Sequence, residues 1–143
     1  DVVVLCEGDP FFYGSFMYLH ARLSERFETE VVPGVTSVTT CAAVSGQPLV
    51  ARNEVLTIIP GPLAEDAMRE RIASSEAVVI MKVGRHLDKI RRVLDSLNLT
   101  KNAVYVEPAS LPLQQVFPLE VAPCEAPYFS MMLVTKGQDP WLN

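Results

Sequence analysis

The residues with the clearest chemical potential lie in a loop at 8–14, which contains Gly8, Asp9, Pro10 and Gly14. The two glycines would let a ligand approach the main chain closely, and the proline would stiffen the loop between them. A carboxylate such as that of Asp9 could orient a bound ligand or accept a proton from it. The competing role is structural, because aspartate in such a turn also caps helices and shapes loops. Asp9 is therefore the candidate catalytic residue, with loop geometry as the alternative.

A basic group follows a later predicted strand and contains Lys82, Arg85 and His86. These cations precede a predicted helix, whose dipole disfavours positive charge at its start unless an anion is present. The group therefore predicts an anionic ligand, with a solvated loop as the alternative. Arg52, at a predicted domain boundary, is open to the same two interpretations.

Cysteine and histidine positions bear on metal and nucleophilic chemistry. Cys6, Cys41 and Cys124 show no Cys-x-x-Cys spacing, and His20 and His86 fall in no metal-ligand pattern. No nucleophile, base and orienting residue occur at plausible spacing either, so we expect neither a triad nor a metal site. We therefore expect these cysteines to be reduced and the protein to be cytoplasmic.

Composition limits the class of protein. Of 143 residues, 49% are hydrophobic and 20% are charged, which is typical of a globular α/β chain. A net charge of -5 argues against a nucleic-acid binder, which needs a basic face. No apolar run approaches the roughly 20 residues that a membrane-spanning helix needs. We therefore expect no nucleic-acid partner and no membrane span.

Predicted strands alternate with predicted helices along the chain. Apolar runs predict strands at 2–5, 29–32, 54–59, 77–83, 103–107, 115–118 and 129–135, and helical patterns cover 15–26, 35–43, 65–73 and 87–97. Phe16, Leu19, Leu23 and Phe27 recur at helical spacing, so we expect this stripe to be core. Gly46-Gln47-Pro48 ends a helix, and we place a domain boundary after residue 48. The pattern predicts a mixed sheet covered by helices.

The start of the chain adds two expectations. Asp1 stands directly before a predicted strand, so we expect the chain to be a piece of a longer protein. Its first residues lack the basic region and cleavage site of a secretory signal. Because ligands bind beyond the carboxyl ends of strands in open α/β sheets, the loops that follow the strands are the expected site.

Four segments, in this order, resemble the tetrapyrrole methyltransferase family. They are residues 5–15 (LCEGDPFFYGS), 32–37 (VPGVTS), 79–86 (VIMKVGRH) and 106–110 (VEPAS). Within that family the chain is most similar to the precorrin-2 C(20)-methyltransferases of cobalamin biosynthesis, chiefly through the first and third segments. The family's amino-terminal segment, with its first glycine- and proline-containing loop, is absent from this sequence.

The resemblance implies a fold and partners. The fold class is α/β, a two-domain tetrapyrrole methyltransferase fold, with 1–48 as the end of the N-terminal domain and 49–143 as a C-terminal mixed-sheet domain. It implies S-adenosyl-L-methionine in a cleft between the domains, precorrin-2 as substrate and a homodimer. This family does not use the Rossmann-like methyltransferase architecture, which agrees with the absence of a G-x-G-x-x-G run.

The resemblance also implies site residues. The implied cofactor contacts are Glu7, Gly8, Asp9, Phe12, Thr36, Ser37, Met81 and Ala109, and the substrate contacts that we infer are Tyr13, Arg52, Lys82, Arg85 and His86. Related enzymes often have glycine in place of Glu7, so we expect a backbone contact there. Met81 has core packing as an alternative role, and Tyr13 has packing under the following helix as its alternative. A hydroxyl of Thr36 or Ser37 could cap the following helix instead of holding a ligand.

The chemistry that these residues must support is modest. A sulfonium methyl is electrophilic and a reduced tetrapyrrole carbon is nucleophilic, so alignment and exclusion of water suffice. A precorrin carries many carboxylates, which the basic group would hold. The alternatives are a cobalt-containing substrate, a non-catalytic dimerisation or binding module, and a generic nucleotide-binding domain, which would need a phosphate loop.

Overall fold

The computed structural model describes residues 2–137, and these fall into two compact units, one up to Thr40 and one from Cys41. In chain order the elements are α1 (Phe16–Leu23), α2 (Ser37–Ser45), β1 (Leu56–Pro60), α3 (Glu65–Ala73), β2 (Ala77–Met81), α4 (Leu87–Ser96), β3 (Ala103–Glu107), β4 (Gln115–Pro118) and β5 (Met131–Thr135). Short 3₁₀ helices occur at Gly84–His86, Thr100–Asn102 and Leu119–Val121. The boundary expected after residue 48 stays a prediction.

The first unit contains loops, α1 and the start of α2. The predicted strands at 2–5 and 29–32 are wrong for the described residues, where both segments are irregular. A strand forms only when another strand completes its hydrogen-bond ladder, and the strands described all lie in the second unit. Val2, Val3 and Leu5 are accordingly exposed.

The expectation that the α1 stripe is core is also wrong. No residue of α1 is buried, and Leu19 and Phe27 are exposed. Phe16 instead contacts the rings of Phe11 and His20 at the surface. A unit this short, without a sheet, offers too little apolar surface to bury a helix face.

The second unit is built around a five-stranded mixed sheet with the order β1-β2-β5-β3-β4. β1 and β2 are parallel, whereas β5 runs antiparallel to both β2 and β3, and β3 runs antiparallel to β4. The expected mixed α/β sheet is therefore confirmed. All five residues of β2 are buried, as its continuous apolar run predicts for a central strand.

Helices α3 and α4 cover the sheet. Met68 and Ile72 of α3 and Ile90, Val93 and Leu94 of α4 are fully buried in one cluster with the strands. The apolar spacing of α4 predicted this face correctly. None of the helices in the part of the chain that the structure describes is long and apolar enough to cross a membrane.

Candidate functional site

Asp9 holds together the two glycine-containing loops of the first unit. Its Oδ1 accepts a hydrogen bond from the N–H of Phe11 at 2.9 Å, and its Oδ2 accepts one from the N–H of Gly34 at 3.0 Å. The second bond joins loops that lie 25 residues apart in the chain. Because both carboxylate oxygens accept backbone N–H groups, the geometry supports the loop-shaping role of Asp9 rather than proton transfer.

The two loops also meet at their backbones. A Cβ at Gly34 would lie only 2.2 Å from the carbonyl oxygen of Gly8, so no other residue fits there without movement. Gly8 itself has φ +76°, which favours glycine. The junction therefore presents bare main chain, as a site that binds a cofactor through backbone groups requires.

The other candidate residues of the first loop are neighbours of Gly8 and Asp9 along the chain. Glu7 is exposed, and Phe12 is half-buried with its ring 5.2 Å from that of Tyr13. Tyr13 is exposed as well.

Thr36 caps α2. Its Oγ1 accepts a hydrogen bond from the N–H of Thr39 at 3.4 Å, and its carbonyl accepts one from the N–H of Thr40 at 3.0 Å. Of the two hydroxyls expected to cap this helix, that of Thr36 does so. Ser37 is the first residue of the helix and is exposed.

In the second unit, one edge of the sheet collects the remaining cofactor candidates. Met81 ends β2 and pairs with Met131 of β5, which also pairs with Val106 of β3. The ends of β2 and β3 therefore lie at the same edge, and Ala109 follows β3 there in a loop. Met81 as a whole residue is 7% exposed, so much of its surface packs in the core.

The basic group follows Met81 directly. Lys82 and Arg85 are exposed, whereas His86 is half-buried at the start of α4. Burial, with the positive charges of Lys89 and Arg85, lowers the pKa of His86. His86 therefore offers a neutral hydrogen-bonding ring near pH 7, and the two exposed side chains carry the positive charge.

Arg52 does not join this group. It precedes β1, and the parallel pairing of β1 with β2 puts the start of β1 at the edge opposite to Met81. Arg52 and Lys82 do share a left-handed backbone, with φ 49° and 56°, and Tyr13 has φ 55°. Non-glycine residues in this region are uncommon, but Asn98 and Ser110, which are not candidate residues, share it, so this backbone conformation does not mark the site by itself.

Two residues that support this edge were missed by sequence reasoning. A Cβ at Gly61 would lie 2.4 Å from the carbonyl oxygen of Lys82, so glycine is required beside the basic group. Lys89 donates from Nζ to the carbonyls of Gly61 and Leu63, both at 2.6 Å. A glycine between two prolines after a strand was a usable signal for the first, but nothing local indicated the second.

Among residues 2–137, no group of three or more His, Cys, Asp or Glu side chains could hold a metal ion. Each unit has candidate features of its own, which are the glycine loops in the first unit and the strand edge with adjacent cations in the second.

Comparison with known proteins finds relatives of this chain among enzymes named as methyltransferases. The chain is 49% identical over 139 residues to a protein of Sinorhizobium sp named precorrin-2 C(20)-methyltransferase, covering 96% of this chain and 57% of that protein. It is 28% identical to the cobalt-precorrin-2 C(20)-methyltransferase of Salmonella typhimurium, covering 90% of this chain and 56% of the relative. The chain thus spans little more than half the length of these two relatives.

A solved structure shares the fold. The uroporphyrin-III C-methyl transferase of Thermus thermophilus, in complex with S-adenyl homocysteine, is 25% identical with a TM-score of 0.63, covering 89% of this chain and 62% of that one. Residues 1–123 match the family described as Tetrapyrrole (Corrin/Porphyrin) Methylases. From its glycine loops to the strand edge of its mixed sheet, the chain therefore belongs to the tetrapyrrole methylase family.

Proposed function

We propose that the protein containing this chain transfers a methyl group from S-adenosyl-L-methionine to C(20) of precorrin-2, giving precorrin-3A in cobalamin biosynthesis. The observation that carries this proposal is the 49% identity, over 96% of this chain, to the Sinorhizobium protein named for that activity. The lower identity of 28% to the relative named for the cobalt-containing substrate favours the metal-free one.

When bound, the cofactor supplies an electrophilic sulfonium methyl group to a nucleophilic carbon of the tetrapyrrole. The residues of this chain then have to bind, orient and exclude water rather than act as a nucleophile. The geometry of Asp9 fits this demand, because its carboxylate is engaged by two backbone N–H groups. We assign Asp9 an orienting role and no proton transfer.

We assign the cofactor contacts of each unit separately. In the first unit they are Glu7, Gly8, Asp9, Phe12, Thr36 and Ser37. The bare backbone at the junction of Gly8 and Gly34 supports this assignment, because a ligand can approach carbonyl and N–H groups there. In the second unit they are Met81 and Ala109, and their position at one sheet edge supports them.

We assign substrate contacts to Tyr13, Arg52, Lys82, Arg85 and His86. The carboxylates of a precorrin would meet the exposed cations Lys82 and Arg85, with His86 as a neutral donor. Arg52 is the weakest member, because it precedes β1 at the opposite sheet edge. We further propose a homodimer in the cytoplasm and a domain boundary after residue 48.

The first test is calorimetric titration of adenosylhomocysteine into the full-length protein, with the variants Asp9→Ala and Met81→Ala. We expect saturable binding that weakens in both variants. Lys101→Ala is the control, because this exposed residue lies outside the candidate site and should bind as the wild type does. A folded wild type that binds no adenosylhomocysteine would refute the methyltransferase proposal.

The second test decides the substrate. The wild type is assayed for transfer of a labelled methyl group to precorrin-2 and, separately, to cobalt-precorrin-2. We expect faster transfer to precorrin-2, and preference for the cobalt form would overturn that part of the proposal. Binding without transfer to either substrate would favour a non-catalytic module.

A further inference from the structure

Three loops meet at the sheet edge that contains Met81. The loop after β2 begins at Lys82, the loop after β3 begins at Pro108, and the segment before β5 ends at Ser130. The pairing of Met81 and Val106 with the same residue of β5, Met131, brings these three loops to one end of the sheet. Side chains that join them can therefore set the shape of this edge.

Ser130 joins two of these loops. Ser130 is only 5% exposed, and its Oγ accepts a hydrogen bond from the N–H of Gly84 at 3.2 Å. The same hydroxyl donates to the carbonyl of Pro127 at 2.6 Å. The carbonyl of Ser130 also accepts a hydrogen bond from the N–H of Val83 at 3.4 Å. The loop after β2 is thus tied to the start of β5 through one buried serine.

Tyr105 and Glu107 extend this connection to β3. Tyr105 is completely buried, and its phenol donates a hydrogen bond to Oε2 of Glu107, two residues along the same strand. Ser130 directly precedes Met131, the residue of β5 that pairs with Val106, so it lies beside the end of β3 where Glu107 is. Burial, followed by the hydrogen bond to Glu107, raises the pKa of Tyr105, so the phenol stays protonated and keeps donating.

Such a network has a cost that an apolar core would avoid. Buried polar groups must be desolvated, and they are tolerated when every partner is satisfied, in which case they restrict the structure to one arrangement. Here the restricted arrangement is that of the loops which follow Met81 and precede Ala109. Glu107 is separated from Ala109 by one proline, whose fixed φ transmits its position along the chain.

We propose that Tyr105, Glu107 and Ser130 form a positioning network that holds the loops after β2 and β3 in the arrangement that the cofactor requires. This inference rests on the proposed function. The three residues act through Met81 and Ala109 and need not touch the cofactor themselves.

The test uses the full-length protein with Ser130→Ala and Tyr105→Phe, which remove single hydroxyl groups and keep the core filled. We expect each variant to bind adenosylhomocysteine about tenfold more weakly, the factor that the loss of one buried hydrogen bond produces. Ser130→Thr, which keeps a hydroxyl, should restore most of the affinity.

A matched control lies at the other end of the same sheet. Ser75 is 4% exposed, its hydroxyl lies 2.5 Å from that of Thr57, and it donates to the carbonyl of Arg71 at 2.9 Å. Ser75→Ala therefore removes an equally buried hydroxyl before β2 instead of beyond it. We expect this variant to lower the melting temperature as Ser130→Ala does and to leave the affinity unchanged.

Hydrogen exchange adds a second readout, and its wild-type measurement does not require any variant to fold. In the wild type, the amide of Gly84 should become better protected when adenosylhomocysteine binds, and in Ser130→Ala it should exchange faster. Unchanged protection of Gly84 on binding, or wild-type affinity in folded Ser130→Ala and Tyr105→Phe, would overturn the inference. A wild type that binds no adenosylhomocysteine would instead refute the proposed function, so the two failures are distinguishable.

Discussion

Replacing Gly34 with alanine should separate the two loops that Asp9 joins. The added Cβ would lie 2.2 Å from the carbonyl oxygen of Gly8 and 2.9 Å from its carbonyl carbon, both of which are backbone atoms. Ordinary contact begins near 3.4 Å, so one loop must move by roughly 1 Å. The bond from the Gly34 N–H to Asp9 Oδ2 is already 3.0 Å long, and such a movement takes it beyond hydrogen-bond range.

The size of the expected effect on amide exchange follows from the loss of the hydrogen bond between Gly34 and Asp9. A hydrogen bond to a charged group contributes about 1.5–3 kcal/mol, so exchange of the amide at position 34 should accelerate by about tenfold to a hundredfold. Exchange is followed by mass spectrometry in the full-length protein, and adenosylhomocysteine affinity is measured alongside. We expect the affinity of Gly34→Ala to fall by about the same factor.

The control for this prediction is Gly14→Ala in the same loop region. A Cβ at Gly14 would lie 3.1 Å from the carbonyl oxygen of Pro10, which a shift of a few tenths of an ångström relieves. This variant should retain near wild-type protection and affinity. Gly34→Ala with wild-type exchange and wild-type affinity would refute the close approach of the two loops.

Three further predictions concern the second unit. Gly61→Ala puts a Cβ 2.4 Å from the carbonyl oxygen of Lys82 and should lower the free energy of unfolding by about 1–3 kcal/mol, measured with urea. Lys89→Met removes two hydrogen bonds of 2.6 Å to the turn after β1 and should destabilise the protein by about 1–3 kcal/mol in the same assay. Burial raises the pKa of Cys41 from 9.0 to about 11, so the stability contributed by its protonated thiol is present below pH 9 and is lost as pH rises through about 11. At pH 8 iodoacetamide should therefore label the exposed Cys6 much faster than Cys41.

Each of these predictions has a control and a contradicting result. Lys101→Met, at an exposed lysine, should leave the urea midpoint unchanged, and Lys89→Met with the same midpoint would contradict the role of Lys89. Gly61→Ala with wild-type stability would contradict the contact with Lys82. Equal labelling rates for the two thiols in the folded protein would contradict the burial of Cys41, and unfolded protein provides the reference rates.

Sequence patterns were most informative in the second unit. The predicted bounds of α3, β3 and β4 agree with the structure, because their apolar spacing and flanking turns are local signals. The same reasoning failed at 2–5 and 29–32, where strand propensity has no ladder partner among the described residues. Strand propensity is a local property of a segment, whereas a strand also needs a neighbouring strand to which its backbone can hydrogen-bond.

In the candidate site, too, local features were predictable and contacts between distant segments were not. Asp9 was recognisable as a residue between two glycines, with loop geometry as one of its two roles. That its second oxygen reaches Gly34 could not be predicted, since the contact spans 25 residues and depends on the path of the chain between them. The position of Ser130 beside the end of β3 could not be predicted either, because it requires β3 and β5 to be neighbours.

By itself the sequence determined the family resemblance, the types of element in the second unit and the positions of the glycine loops and basic group. These properties depend on residue type and on short spacings, both of which are visible in the sequence. Only the tertiary structure decided the strand order β1-β2-β5-β3-β4, the meeting of Gly8 with Gly34, and the parallel pairing that puts the start of β1 and the end of β2 at opposite edges. The physical reason is that packing and hydrogen bonds between distant segments choose among arrangements that local patterns leave equally possible.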